Sequence, residues 1–286
     1  MTTMPATSAA PGRPIASGEP AIEIADAAAR RGGRDVWAHV DISVAPGEFV
    51  AVLGPNGSGK STLLLVVLGL LPLGAGRAAV LGEQPGIVRG QIGYLPQRGG
   101  FDASVRVRGV DIVRLGLDGA RWGIPLPGPA SRRARARVEE VIDLVGASGY
   151  ARRPIGELSG GEQQRLLIAQ ALVRKPRILL LDEPLDSLDL PNQTAVASLV
   201  QSICATQGVT VLLVAHDVNP ILGYLDRVVY FAGGHAAHGT PTEVINARTL
   251  SALYGVPIEV LETSDGRLVV VGTPEPPSLH HPRHAH

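Results

Sequence analysis

An α/β fold built on a largely parallel sheet, covered by helices on both faces, is what this sequence predicts, and three observations predict it. Residues 48–53 form an apolar run that gives way to a glycine-rich turn and then to a second apolar stretch, 62–70, long enough for a helix. Three later runs, 178–181, 209–214 and 227–231, are apolar without alternation, as strands buried on both faces must be. These runs are separated by segments with helical spacing, so the sheet they imply is parallel.

Taken in order, the chain opens with twenty residues rich in Ala, Pro, Thr, Ser and Gly. They lack the basic start and apolar centre of a signal peptide, so a disordered tail is expected over 1–20. Residues 21–24 and 40–44 alternate apolar and polar positions around the turn chemistry of Arg30-Arg31-Gly32-Gly33-Arg34, which predicts antiparallel strands leading into the core. Short strands are expected at 78–81 and 91–95. Residues 110–116 have helical spacing, and 118–129 form a Gly/Pro-rich loop containing Trp122. Residues 131–146 read as a helix with Ser131 as its N-cap, apolar positions at Val138, Val141, Ile142 and Val145, and Gly146 as its end. Its arginines form either a basic patch or a solvated face. The Pro- and His-rich stretch 263–286 is expected to be a second disordered tail, leaving 21–262 as the folded domain.

Composition sets the outer limits. The 286 residues, 45% hydrophobic and 18% charged, suffice for one α/β domain with or without a subdomain. A formal net charge of zero gives no ground for a nucleic-acid partner. The single cysteine, Cys204, cannot form an internal disulfide and fits a reducing compartment. The longest apolar run, 63–73, is too short to span a bilayer and contains Gly69 and Pro72. The tail histidines His280, His281, His284 and His286 are either imidazoles suited to zinc or a compositional bias without fixed geometry.

The chemistry begins at Gly54-Pro55-Asn56-Gly57-Ser58-Gly59-Lys60-Ser61-Thr62, which fits the pattern G-x-x-x-x-G-K-[ST] in its required setting of strand, turn and helix. Glycines let the backbone turn its N–H groups toward phosphate oxygens, and the following helix offers its positive end to the same anion. Lys60 then reaches the β- and γ-phosphates of a nucleotide, and the Ser61 hydroxyl ligates Mg²⁺. A second anion site is read at Ser159-Gly160-Gly161-Glu162-Gln163, where Ser159 caps a helix and Glu162 completes a capping box. Downstream, the strand 178–181 ends in Asp182-Glu183, with Asp182 suited to Mg²⁺ and Glu183 to polarising a water for attack on a γ-phosphate. His216 follows the next strand, either as a core histidine or as a γ-phosphate contact.

In that order and spacing, the phosphate loop, Gln97, Leu158-Ser159-Gly160-Gly161-Glu162-Gln163, Asp182-Glu183, Ser187-Leu188-Asp189 and His216 resemble the ATP-binding subunits of ABC transporters over residues 20 to 245. The resemblance implies a RecA-like P-loop ATPase core with a small antiparallel β lobe and an inserted helical lobe at about 98–160. It implies ATP and Mg²⁺, and a head-to-tail dimer in which Ser159, Gly160, Gly161 and Gln163 of one copy face the ATP held by Lys60 of the other. Glu183 is then the base, His216 the γ-phosphate contact and Asp189 a contact across the dimer. Gln97 is then placed at the Mg²⁺ ion and the attacking water. One position departs from the family: where an aromatic usually stacks on adenine, this chain has Ala29-Arg30-Arg31-Gly32-Gly33, and an arginine plane is the available substitute.

Residues 94–102, with Val105-Arg106-Val107-Arg108 after them, and 215–222 resemble the branch that imports zinc or manganese. That branch implies membrane permease subunits, an extracytoplasmic solute-binding protein acting indirectly, and a peripheral position on the cytoplasmic face of the membrane. The competing class is a soluble ABC ATPase of DNA repair or translation, which usually needs a coiled-coil insertion or two cassettes. A phosphate-loop kinase or GTPase does not account for residues 158–163.

Overall fold

A computed structural model describes residues 18–97, 100–118, 128–264 and 266–271. The Trp122 loop and the tail histidines lie outside them, as do residues 1–17.

Six strands form the central sheet in the order β5 (Ile92–Leu95), β6 (Ile178–Asp182), β7 (Thr210–Val214), β3 (Phe49–Leu53), β8 (Arg227–Ala232) and β9 (His235–Gly239). All neighbours are parallel except β8 and β9, which form a hairpin. Successive residues of each central strand enter two different cores. Phe49, Ala51 and Leu53 of β3 pack with Leu179, Leu181, Val211 and Leu213 on one face. Val50 and Val52 pack with Ile178, Leu180, Leu212 and Val214 on the other. The period-two geometry of a strand with both faces dry accounts for the unbroken apolar runs in the sequence.

The first face is covered by α2 (Gly109–Asp118), α3 (Pro129–Leu144), α4 (Gly160–Leu172) and α5 (Leu190–Gln207), each of which contributes buried side chains to that core. The second face is covered by α1 (Lys60–Val67) and by a three-stranded antiparallel sheet, β2 (Arg34–Val44), β1 (Ile22–Arg31) and β4 (Leu73–Val80). These strands run longer than the short pieces expected. The β1–β2 ladder shifts register near Asp26 and His39, both with positive φ, and these irregularities break the alternation that marks a strand in sequence. After β9, α6 (Pro241–Val244) and α7 (Ala247–Tyr254) lead to a hairpin of β10 (Glu259–Glu262) and β11 (Leu268–Val271). The tail expected from 263 therefore begins no earlier than 272, since Leu268–Val271 is paired strand.

One local reading is corrected, and another holds for three arginines of four. Helix α3 starts at Pro129 with Gly128 as its N-cap, so Ser131 lies inside its first turn; proline at the helix start supplies the ready-made φ. Of its arginines, Arg132, Arg133 and Arg135 are exposed, whereas Arg137 donates to the carbonyls of Leu172 and Val173 at 2.9 Å each and closes the C-terminal end of α4. Among the described residues no helix is long and apolar enough to cross a membrane.

Candidate functional site

The phosphate loop hangs between β3 and α1, and its conformation is one that only its glycines permit. Gly54 has φ +136, and a Cβ there would lie 2.2 Å from the Phe231 carbonyl oxygen on the neighbouring strand. Gly59 has φ +103 and sits against the buried Trp37, whose Cδ1 would be 2.5 Å from a Cβ. Trp37 in turn packs on Phe231, with ring centroids 5.9 Å apart. This aromatic floor was invisible in the sequence, where one Trp in a strand carries no mark of what it supports.

Lys60 is buried, and its Nζ donates to the carbonyls of Gly54 at 2.8 Å and Pro55 at 3.2 Å. Burial lowers its pKa, opposed by the charges of Glu183, Asp186 and Asp182. Three features of the loop suit a phosphate group. Helix α1 has no side-chain cap for its first N–H groups. The Ser58 hydroxyl is buried without a hydrogen-bond partner. Gly57, with φ +78, faces open space where a Cβ would stand.

Beside the loop, the Ser61 hydroxyl donates to Asp182 Oδ1 at 3.2 Å. Asp182, at the tip of β6, is 6% exposed, and burial raises its pKa against the Ser61 hydrogen bond. Tyr94, on the adjacent β5, hydrogen-bonds the same carboxylate, and burial and that charge raise the phenol's pKa. A hydroxyl and a carboxylate at this separation make an oxygen-only pair that matches Mg²⁺ chemistry.

Glu183 continues the chain out of β6 with φ +52, a left-handed conformation uncommon for a side-chain-bearing residue. Its N–H donates to Val214 of β7 at 3.2 Å, and the turn aims the carboxylate at the next strand end. There Oε1 meets His216 Nε2 at 2.8 Å, while Oε2 accepts from the Gln97 amide. His216 is thus no core histidine: its side chain is 36% exposed and lies between Glu183 and Asp186, whose Oδ2 is 3.3 Å from Nε2. Asp186 was missed in the sequence, where a carboxylate in a loop has no distinguishing signal. Burial, and then its hydrogen bond with Glu183, raise the Asp186 pKa.

Ser159, Gly160 and Gly161 stand at the start of α4. Ser159 accepts from the Glu162 N–H at 3.3 Å, and its own N–H donates to Glu162 Oε2 at 2.8 Å, a complete capping box. Gly161 faces α5 so closely that a Cβ would be 2.7 Å from Asn192 Oδ1. Asn192 is bound by Asp189, which caps α5 and accepts from the Asn192 N–H at 3.2 Å and side-chain amide at 2.6 Å. Among the described residues no hydrogen bond joins this group to the Lys60 loop. Gln163, grouped by sequence with the ATP-facing residues, is turned the other way. It is 7% exposed, donates to the carbonyls of Ile155 at 3.0 Å and Leu158 at 3.1 Å, and accepts from the Phe101 N–H at 2.9 Å. Its position one turn into α4 points it under the preceding loop.

At the β1–β2 turn, Arg30 is held by Asp35 at 2.6 Å, and Arg31 is exposed where the strands reverse through Gly32 and Gly33. Against the phosphate loop, a cavity of about 600 Å³ is lined by residues 53–56, by 216–219 and by 268–270 of β11. Asn219 donates to the Leu268 carbonyl at 3.1 Å and accepts from its N–H at 2.8 Å, so one side chain docks the terminal hairpin as a strand neighbour would.

A family model described as ABC transporter matches residues 37–186, a span that runs from Trp37 beneath the loop to Asp186. The chain belongs to the ABC transporter family. The zinc import ATP-binding protein of Cereibacter sphaeroides is 40% identical over 228 residues, which are 80% of this chain and 86% of that protein. The Fe(3+) ions import ATP-binding protein of Streptomyces avermitilis is 40% identical over 219 residues, 76% of this chain and 62% of that protein. The manganese transport system ATP-binding protein of Halalkalibacterium halodurans is 34% identical over 233 residues, 81% of this chain and 91% of that protein. A metal-chelate type ABC transporter solved in an inward-facing conformation contains a chain that superposes with a TM-score of 0.73 at 25% identity, covering 89% of this chain and 98% of that one. An ABC transporter chain that carries the phosphate loop, the strand-end carboxylates and the serine-capped helix is the ATP-hydrolysing subunit.

Proposed function

We propose that this ABC ATPase powers the import of a divalent metal ion, zinc or manganese. It works as a head-to-tail dimer at the cytoplasmic face of the membrane, docked on permease subunits that an extracytoplasmic solute-binding protein supplies. The observation that carries the catalytic part is the gathering of Lys60, Ser61–Asp182 and Glu183–His216 at the carboxyl end of one parallel sheet, where open α/β sheets bind their ligands. The choice of cargo rests on the named zinc and manganese relatives, both covered over most of their length. The alternative of a soluble ATPase in DNA repair or translation has no support among them.

In this reading the N–H groups of residues 54–62 and the Lys60 ammonium hold the phosphates of ATP. Lys60 leaves the Gly54 and Pro55 carbonyls to do so, which relieves the cost of its burial. Mg²⁺, when held by Ser61 and Asp182 with Gln97 beside them, supplies neutralisation of phosphate charge. Glu183 takes the proton of the attacking water. Its two oxygens are already assigned, one to Gln97 and one to His216, so the carboxylate is oriented before substrate arrives. His216 passes from Glu183 to the γ-phosphate. Gly160 and Gly161 of the second copy present their N–H groups from the other side, with the Ser159 hydroxyl beside them, and Asp189 borders the contact.

Glu183→Gln tests the assignment. ATP binding is retained, turnover falls by about 10²–10⁴-fold, and an ATP-loaded dimer accumulates in size-exclusion chromatography; unchanged turnover removes Glu183 from the role. Purification from detergent-solubilised membranes tests the partner. A polytopic permease accompanies the chain, and recovery of the chain alone in the soluble fraction refutes the transporter assignment.

A further inference from the structure

Asp186 has no part in the chemistry described so far, yet it converges on two residues that do. The ligand atoms of Glu183, Asp186 and His216 all lie within 4.8 Å of one another. His216 Nε2 is 2.8 Å from Glu183 Oε1 and 3.3 Å from Asp186 Oδ2. A tetrahedral ion with bonds of about 2.0–2.2 Å sets its ligands roughly 3.3–3.6 Å apart, so this trio needs little movement to close around one. We propose that Glu183, Asp186 and His216 form a binding site for a divalent transition-metal ion, Zn²⁺ above all, that is open in the nucleotide-free chain and blocks ATP hydrolysis when filled.

The site is separate in composition from the Ser61–Asp182 pair. That pair offers oxygen alone, the preference of Mg²⁺, whereas an imidazole joined to two carboxylates suits zinc and its neighbours. The ligands come from two segments at the carboxyl end of the sheet, the loop between β6 and α5 and the loop that follows β7. Glu183 is steadied further by Gln97 on its second oxygen. Three protein ligands leave a fourth position for water. His216 is 36% exposed and Asp186 38% by side chain, so an ion can enter from solvent. Inhibition follows because the ion takes both Glu183 and His216, and this consequence rests on their assignment above to water activation and γ-phosphate contact. For a subunit that drives uptake of such ions, the result is feedback by the delivered cargo.

The test uses the 286-residue chain without nucleotide. Because tail imidazoles bind the same ions, every measurement is repeated in a background carrying His280→Ala, His281→Ala, His284→Ala and His286→Ala. Co²⁺ titration is expected to give a visible d–d band that Zn²⁺ displaces, and chelator-buffered Zn²⁺ is expected to inhibit Mg²⁺-dependent ATP turnover reversibly. Asp186→Asn, and independently Asp186→Ser, should leave zinc-free turnover close to wild type, abolish the band and raise the inhibitory Zn²⁺ concentration about tenfold or more. Unchanged zinc sensitivity in both variants, or a band indifferent to Asp186, overturns the site. Absence of turnover in zinc-free buffer with an intact, Asp186-dependent band counts instead against the catalytic assignment and supports the ion site.

Discussion

Gln163 separates a residue that faces the nucleotide from one that holds the fold. Gln163→Ala removes a buried amide that serves the Ile155 and Leu158 carbonyls and the Phe101 N–H. Each such bond contributes about 0.5–1.5 kcal/mol, and a buried partner left unpaired adds to the loss. Three bonds, with a fourth and longer one to the Phe101 carbonyl at 3.4 Å and partial access of water near Phe101, give an expected destabilisation of about 2–4 kcal/mol and a fall in Tm of roughly 5–10 °C. Scanning calorimetry measures this directly. Binding of a fluorescent ATP analogue to the isolated chain should stay near wild type, since the Lys60 loop shares no hydrogen bond with Gln163 among the described residues. Gln163→Glu should be at least as damaging, because a carboxylate would face two carbonyl oxygens. A Tm within about 1 °C of wild type, joined to loss of ATP-dependent dimerisation, would refute this reasoning and return Gln163 to the ATP-facing group.

Two further outcomes are expected. Lys60→Ala should weaken ATP binding about 10–100-fold, the range of a hydrogen bond to a charged group, and equilibrium titration giving wild-type affinity would contradict the phosphate loop. Gly54→Ala should cost about 3 kcal/mol or more, because its Cβ would enter the Phe231 carbonyl, while Gly57→Ala, at positive φ in open space, should cost only about 1–2 kcal/mol; chemical unfolding that ranks them equally would dismiss the steric account.

The parallel sheet was legible because strands dry on both faces leave unbroken apolar runs, and 178–181, 209–214 and 227–231 each match a strand. The Ser159–Glu162 capping box was legible because it is written in neighbouring residues. What depended on distant partners was not. Nothing local ties Arg137 to the end of α4, Trp37 to Gly59, or Asn219 to Leu268. Composition misled at the C-terminal end, where Pro and His content masked the short run Leu268–Val271. The bulges near Asp26 and His39 hid two long strands in the same way, by spoiling the period that identifies them. Asp186 shows the reverse limit: it stands between two motifs without belonging to either, and only the fold brings His216 to it.

The close seating of Gly161 on Asn192, with Asn192 tied to Asp189, welds the starts of α4 and α5 into one lever. Re-aiming one tip alone would break this packing. A displacement delivered to either helix therefore arrives at both tips together, which makes a single label near Asn192 sufficient to report the motion of the whole face.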